Sequence, residues 1–80
     1  MSKEYYRKRL VDLRASLQKE KDAKKKDNER WAAAIKNATS ISTKASYRKN
    51  KISYAASHDR RIESIKREID TVKESLKRCK

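Results

Sequence analysis

The chain has one histidine, His58, and one cysteine, Cys79, 21 positions apart. These are the side chains best suited to proton transfer or nucleophilic attack near neutral pH. A Cys–His dyad needs hydrogen-bond contact, yet 21 helical residues would hold the two about 30 Å apart. They could meet only across chains. A single Cys and a single His also give no zinc-ligand spacing. Glycine is absent, which removes phosphate-cradling loops and tight oxyanion turns. The eleven acids are interleaved with bases, as partnered surface residues rather than a paired-carboxylate site. We therefore expect no catalysis, no metal and no cofactor. His58 falls between Ala55 and Ile62, where it reads as a structural or register-setting polar residue. Cys79 reads as a seam residue at a helix end.

The remaining chemistry is charge. Net charge is +13, from 24 Lys and Arg against 11 Asp and Glu. It is uneven: +4 over residues 1–29, +6 over residues 30–58 and +3 over residues 59–80. The middle stretch, "RWAAAIKNATSISTKASYRKNKISYAASH", has no acid at all. Arg30, Lys36, Lys44, Arg48, Lys49 and Lys51 stand there beside Trp31, Tyr47 and Tyr54. Bases with interleaved aromatics could form an anionic-partner patch, with phosphate contacts and base stacking. They could equally be the solvated joint between two helices, with Trp31 filling a seam position. No DNA- or RNA-binding module motif accompanies them. Tyr5, Tyr6 and the bases near them could touch an anionic membrane surface, but the apolar stripe there is narrow and interrupted.

The elements that must position these residues are helical. Apolar residues are 35% of the chain and charged residues 44%, so any core is a narrow seam. Proline is absent as well as glycine, which is typical of long helices. A seven-residue repeat runs through Leu10, Leu17, Lys24, Trp31 and Ala38, interleaved with Tyr6, Leu13, Glu20, Asp27, Ala34 and Ile41. Steps of three and four place both sets on one stripe. Glu20, Lys24 and Asp27 interrupt it, and the surrounding "KEKDAKKKDNER" predicts a splayed or wet seam. A cleaner stripe follows: Ala55, Ile62, Ile69 and Leu76 with His58, Ile65, Val72 and Cys79.

Between the runs, "NATSISTKAS" has six Asn, Ser or Thr in ten residues, which favour caps and turns over helix interiors. The pattern predicts an all-α antiparallel helical hairpin of coiled-coil type, with arms of about 50 Å. Its first helix covers residues 1–38, its turn residues 39–46 and its second helix residues 47–80, in one domain. Ser2 caps the first helix, and Ser42, Thr43 or Ser46 the second. One continuous helix is the rival. A lone hairpin buries one stripe per arm, so the hairpin is expected to assemble into a multi-helix bundle, with itself or with a partner helix. The oligomer seam would use Leu10, Leu13, Leu17, Trp31, Ile62, Ile65, Ile69, Val72 and Leu76. No apolar run suits a membrane span or a signal peptide. With one cysteine and no internal disulfide, a cytoplasmic location is expected. Asn37-Ala38-Thr39 has the form of a glycosylation sequon and reads as chance.

Three stretches, "EYYRKRLVDLRASLQKEKDAKKKDNE", "NATSISTKASYRKNKI" and "RRIESIKREIDTVKESLKR", carry a resemblance. The Tyr-Tyr-basic-basic start at Tyr5 to Lys8 precedes Leu10 and Leu13. A Ser-Ile-Ser junction at Ser40, Ile41 and Ser42 precedes a basic segment that runs into Arg61-Ile62 and an Ile-rich heptad. Together they resemble the N-terminal coiled-coil region of bacterial TIR-domain (Toll/interleukin-1 receptor) defence proteins. The resemblance spans nearly the whole chain. It departs from the pattern at "ASYRKNKISYAAS", where a Pro or a Ser/Thr-Lys-x-Arg-Gln-Ile run is common. It implies an oligomerisation or scaffold segment, with a NAD-cleaving TIR domain beyond residue 80 and none of that chemistry here. Two other readings stand beside it: a basic nucleic-acid-binding helical protein, and a helical-hairpin secretion or targeting partner. Secretion partners of the WXG type carry Trp-x-Gly in the turn, where this chain has Trp31-Ala32-Ala33.

Overall fold

The computed structural model describes residues 2–79 and contains two long helices, α1 (Lys3–Asn37) and α2 (Ile41–Arg78). They fold back on each other as an antiparallel hairpin with principal extents of 62 × 14 × 11 Å. The all-α hairpin is thus observed, and the continuous-helix alternative is not. Among the described residues no helix is long and apolar enough to cross a membrane.

Helix α1 starts where Ser2, in extended conformation, accepts a hydrogen bond on Oγ from the Tyr5 N–H at 3.3 Å. This satisfies one of the donors that a helix N-terminus leaves unpaired. Glu4 lies in the first turn and Lys36 in the last, each with the sign that the helix dipole favours. Lys77 and Arg78 repeat that arrangement at the end of α2.

The reversal is shorter and earlier than the composition suggests. Only residues 38–40 lie between the helices, so the expected turn at 39–46 is corrected: residues 41–46 are the first turn and a half of α2. Ala38, at φ −69° and ψ 138°, leaves α1 while its N–H still reaches the Ala34 carbonyl at 3.0 Å. Ser40 then caps α2: its Oγ accepts from the Thr43 N–H at 3.1 Å and pairs with Thr43 Oγ1 at 2.7 Å. The cap is therefore Ser40, not Ser42, Thr43 or Ser46. Of these, Ser40 is the first hydroxyl that both leaves the reversal and has a hydroxyl partner three residues on. No described residue has positive φ, so the reversal needs no glycine.

The core is the seam. Leu10, Leu13 and Ile69 form its buried centre, with Leu17, Ile65, Val72 and Leu76 packed against it. Ile62 is also buried. This cluster occupies the end of the hairpin away from the turn. Ile41, placed in the first stripe by the repeat, is instead 88% exposed. The chain reverses before it, so it opens α2 outside the heptad phase of α1.

Candidate functional site

Toward the turn the seam changes from aliphatic to polar, then to aromatic. His58 of α2 is buried, at 6% exposure. It inserts between two carboxylates of α1 that are seven residues apart. Nδ1 lies 2.6 Å from Glu20 Oε1 and Nε2 lies 2.5 Å from Asp27 Oδ2. A carboxylate only accepts, so both ring nitrogens must donate, and the arrangement calls for the imidazolium. Its ionisation is raised above the usual histidine value, first by Asp27 and then by Glu20, against the opposing effect of burial. The Glu20 carboxyl is held below its usual range by Arg61 and then His58. Asp27 is held down mainly by His58.

Arg61 donates through Nε to Glu20 Oε1 at 2.8 Å. Its Nη2 also lies 3.3 Å from His58 Nδ1. With Nδ1 protonated that approach sets donor against donor, and Glu20 between them neutralises both. Around this layer Lys24 bridges to Asp59 at 2.6 Å, and Arg30 reaches Asp27 at 3.0 Å. The interruption expected at Glu20, Lys24 and Asp27 is thus a cross-linked ionic layer, not a splayed segment. His58 is buried at the seam, where its place in the stripe put it. The two carboxylates address opposite ring nitrogens, so they do not converge with His58 on one point as ligands would. Sequence reasoning placed His58 and missed its partners. The available signal was three polar seam positions on α1 facing one polar seam position on α2.

One heptad closer to the turn, Trp31 repeats the geometry with the helices exchanged. Its ring lies 5.6 Å from Tyr47 and 5.5 Å from Tyr54, which are seven residues apart on α2. The Arg30 guanidinium sits 5.9 Å from the indole centroid. Trp31 Nε1 is buried without a hydrogen-bond partner, a loss of about 1–3 kcal/mol against a satisfied donor. Trp31 and Tyr47 are half-buried in this tilted cluster, while Tyr54 stays 46% exposed.

The basic patch is divided. Lys44, Arg48 and Lys51 follow one another on a single face of α2, whereas Lys49 lies well round the helix from them. Arg30 is committed to Asp27 and Trp31. Lys36 is exposed near the end of α1. The nine residues expected to form an oligomer seam all lie in the closure of α1 on α2 within one chain. They are buried or half-buried there.

Beside the aromatic part of the seam runs an open groove of about 560 Å³. On α1 it is lined by Asn28, Ala32 and Ile35, and on α2 by Arg48, Lys51, Ile52 and Ala55. The rows 28, 32, 35 and 48, 52, 55 have the same four-then-three spacing, so each forms a stripe flanking the seam. Ile52 is 71% exposed. With this geometry in view, comparison with known proteins adds no relative: no family model, curated protein or solved structure matches this chain.

Proposed function

We propose that this chain is a non-catalytic helical scaffold that assembles by docking further helices along its flanks. A second copy or a partner helix would complete a multi-helix bundle. The observation that carries this reading is the paired apolar stripes at Ala32, Ile35, Ile52 and Ala55, left open beside a seam already filled from within the chain. A two-helix rod with four buried aliphatic side chains gains from any third helix that covers such a strip. The resemblance to the N-terminal coiled-coil region of bacterial TIR-domain defence proteins supplies a context. In it, this segment would gather copies of an antiphage effector in the cytoplasm.

Sedimentation at micromolar concentration tests the reading, in low and in high salt because net charge +13 opposes self-association until it is screened. A dimer or larger species at high salt is expected. A chain that stays monomeric and melts sharply removes self-association. Reading the gene past Lys80 tests the context, since a TIR-like α/β sequence should follow.

The nucleic-acid reading rests on the acid-free stretch and ranks second. Trp31 and Tyr47 are half-buried against each other, which leaves Tyr54, 46% exposed, as the most accessible of the three rings for the stacking that sequence-tolerant single-strand binders use.

A further inference from the structure

Starting from this docking reading, we infer that the groove at the turn end is a seat for an acidic amphipathic helix supplied by a different protein. The lining of this open groove limits what fits. Its floor and walls are the side chains of Ala32, Ile35, Ile52 and Ala55, with Arg48 and Lys51 along the α2 edge. Arg48 and Lys51 make no ion pair among the described residues. The apolar strip is local. One turn further from the hairpin's tip, the α1 stripe continues to Lys25 and Lys21, both exposed. On α2 it continues to Asp59, which is tied to Lys24. Each lining row spans seven residues, or about 10 Å. That length matches two turns of an occupant helix, which would present apolar residues at i, i+3 or i+4, and i+7.

Charge selects the occupant. Residues 30–58 carry six bases and no acid. A second copy docking tip to tip would bring two such regions together, and its other two segments are net positive as well. Like-charge juxtaposition at an interface is strongly unfavourable. An acidic helix reverses that sign, with Asp or Glu on the flank facing Arg48 and Lys51. Nucleic acid would satisfy the two bases, but the methyl surface of Ala32, Ile35, Ile52 and Ala55 offers its phosphates and base edges nothing.

The test uses the full chain and a synthetic helical peptide of about three turns, with Leu at i, i+4 and i+7 and Glu on both flanks. A copy with Lys for Glu and a DNA duplex serve as comparisons. Amide shifts are followed by NMR and affinity by calorimetry. We expect the acidic peptide to shift the amides of Ala32, Ile35, Ile52 and Ala55, with the Lys peptide silent. Ile52→Ser, and separately Arg48→Glu with Lys51→Glu, should each weaken binding about tenfold or more. Ile52 is exposed, so the hairpin's helical signal and melting should survive Ile52→Ser.

The inference falls if Ile52→Ser leaves affinity unchanged, if shifts spread along the lysines of both helices, or if the duplex displaces the peptide from the same amides. Sedimentation of the free chain separates the two ideas. A monomer that binds the peptide at the groove keeps this seat and discards self-association. An oligomer that ignores the peptide keeps self-association and overturns the seat.

Discussion

His58 Nε2 on α2 lies 2.5 Å from Asp27 Oδ2 on α1, while Nδ1 of the same ring meets Glu20. One ring therefore joins the helices through two charge-assisted hydrogen bonds, at the boundary between the aliphatic and aromatic parts of the seam. Such a contact tolerates no sliding, because a one-residue slip would leave a buried imidazolium facing the wrong groups. It also ties the hairpin's stability to pH.

The sign follows from the direction of each shift. His58 is raised above its ordinary value of 6.5, so its contribution is complete below that pH and is lost as pH rises through the higher folded value. Glu20 and Asp27 are lowered from 4.5 and 3.8. Their contribution is complete above those values and is lost as pH falls through the lower folded ones. Thermal melts followed by circular dichroism should give a plateau from about pH 4.5 to 6.5, falling on either side. In His58→Gln the alkaline fall should vanish.

Removing His58 takes from Glu20 and Asp27, both on α1, the partner they share across the seam, leaving Glu20 to Arg61 and Asp27 to Arg30. His58→Leu should lower the melting temperature by about 10 °C, the scale for losing a hydrogen bond to a charged group in a chain this size. Changing Glu20, Asp27 and His58 together to Leu should recover or exceed the original stability. The price should be register, visible as heterogeneous NMR spectra, since a uniform aliphatic seam pairs equally well after a seven-residue slip.

Ser40 gives α2 its start, and its Oγ serves both the N–H and the hydroxyl of Thr43. Ser40→Ala should cost about 1 kcal/mol, or roughly 5 °C in melting temperature. Ser42→Ala and Ser46→Ala, on exposed positions within the helix, should be close to neutral. Equal losses at all three sites would contradict the short turn.

Ile69 is 7% exposed and packs with Leu10 and Leu13 in the same chain. Ile69→Ala should therefore destabilise the hairpin itself by about 2–3 kcal/mol. Ile69→Asp should unfold it rather than merely dissociate an assembly. Helical content by circular dichroism, measured beside sedimentation, distinguishes these outcomes.

Register can be read directly. Spin labels at Gln18 and Arg60, both exposed, should lie within about 20 Å of each other, whereas an unbroken helix would separate them by about 63 Å. A second pair at Gln18 and Arg67 should be about as close, because the bracketing of His58 by Glu20 and Asp27 sets residue 18 opposite the midpoint between 60 and 67. If one pair is longer than the other by several Å, the helices are shifted by one heptad from the arrangement described here.

Much of this protein was legible in its residues. The heptad spacing of Leu10, Leu13, Leu17, Ile62, Ile65, Ile69, Val72 and Leu76 names which faces close, because burial of apolar side chains is set by helical period. The polar position of His58 within its stripe was equally plain. Register was not, because a seven-residue repeat matches itself after a seven-residue shift. Moving the reversal from 39–46 to 38–40 changes the partner of each α1 residue by one such repeat, and the stripe pattern is blind to the difference. Three-dimensional specificity breaks that degeneracy. Ser40 with Thr43 fixes where α2 begins, and only then do Glu20 and Asp27 bracket His58, and Tyr47 and Tyr54 bracket Trp31. The groove too needs both helices: Ala32 and Ile35 meet Ile52 and Ala55 only once the chain has reversed, so no sequence pattern on either helix alone could announce it.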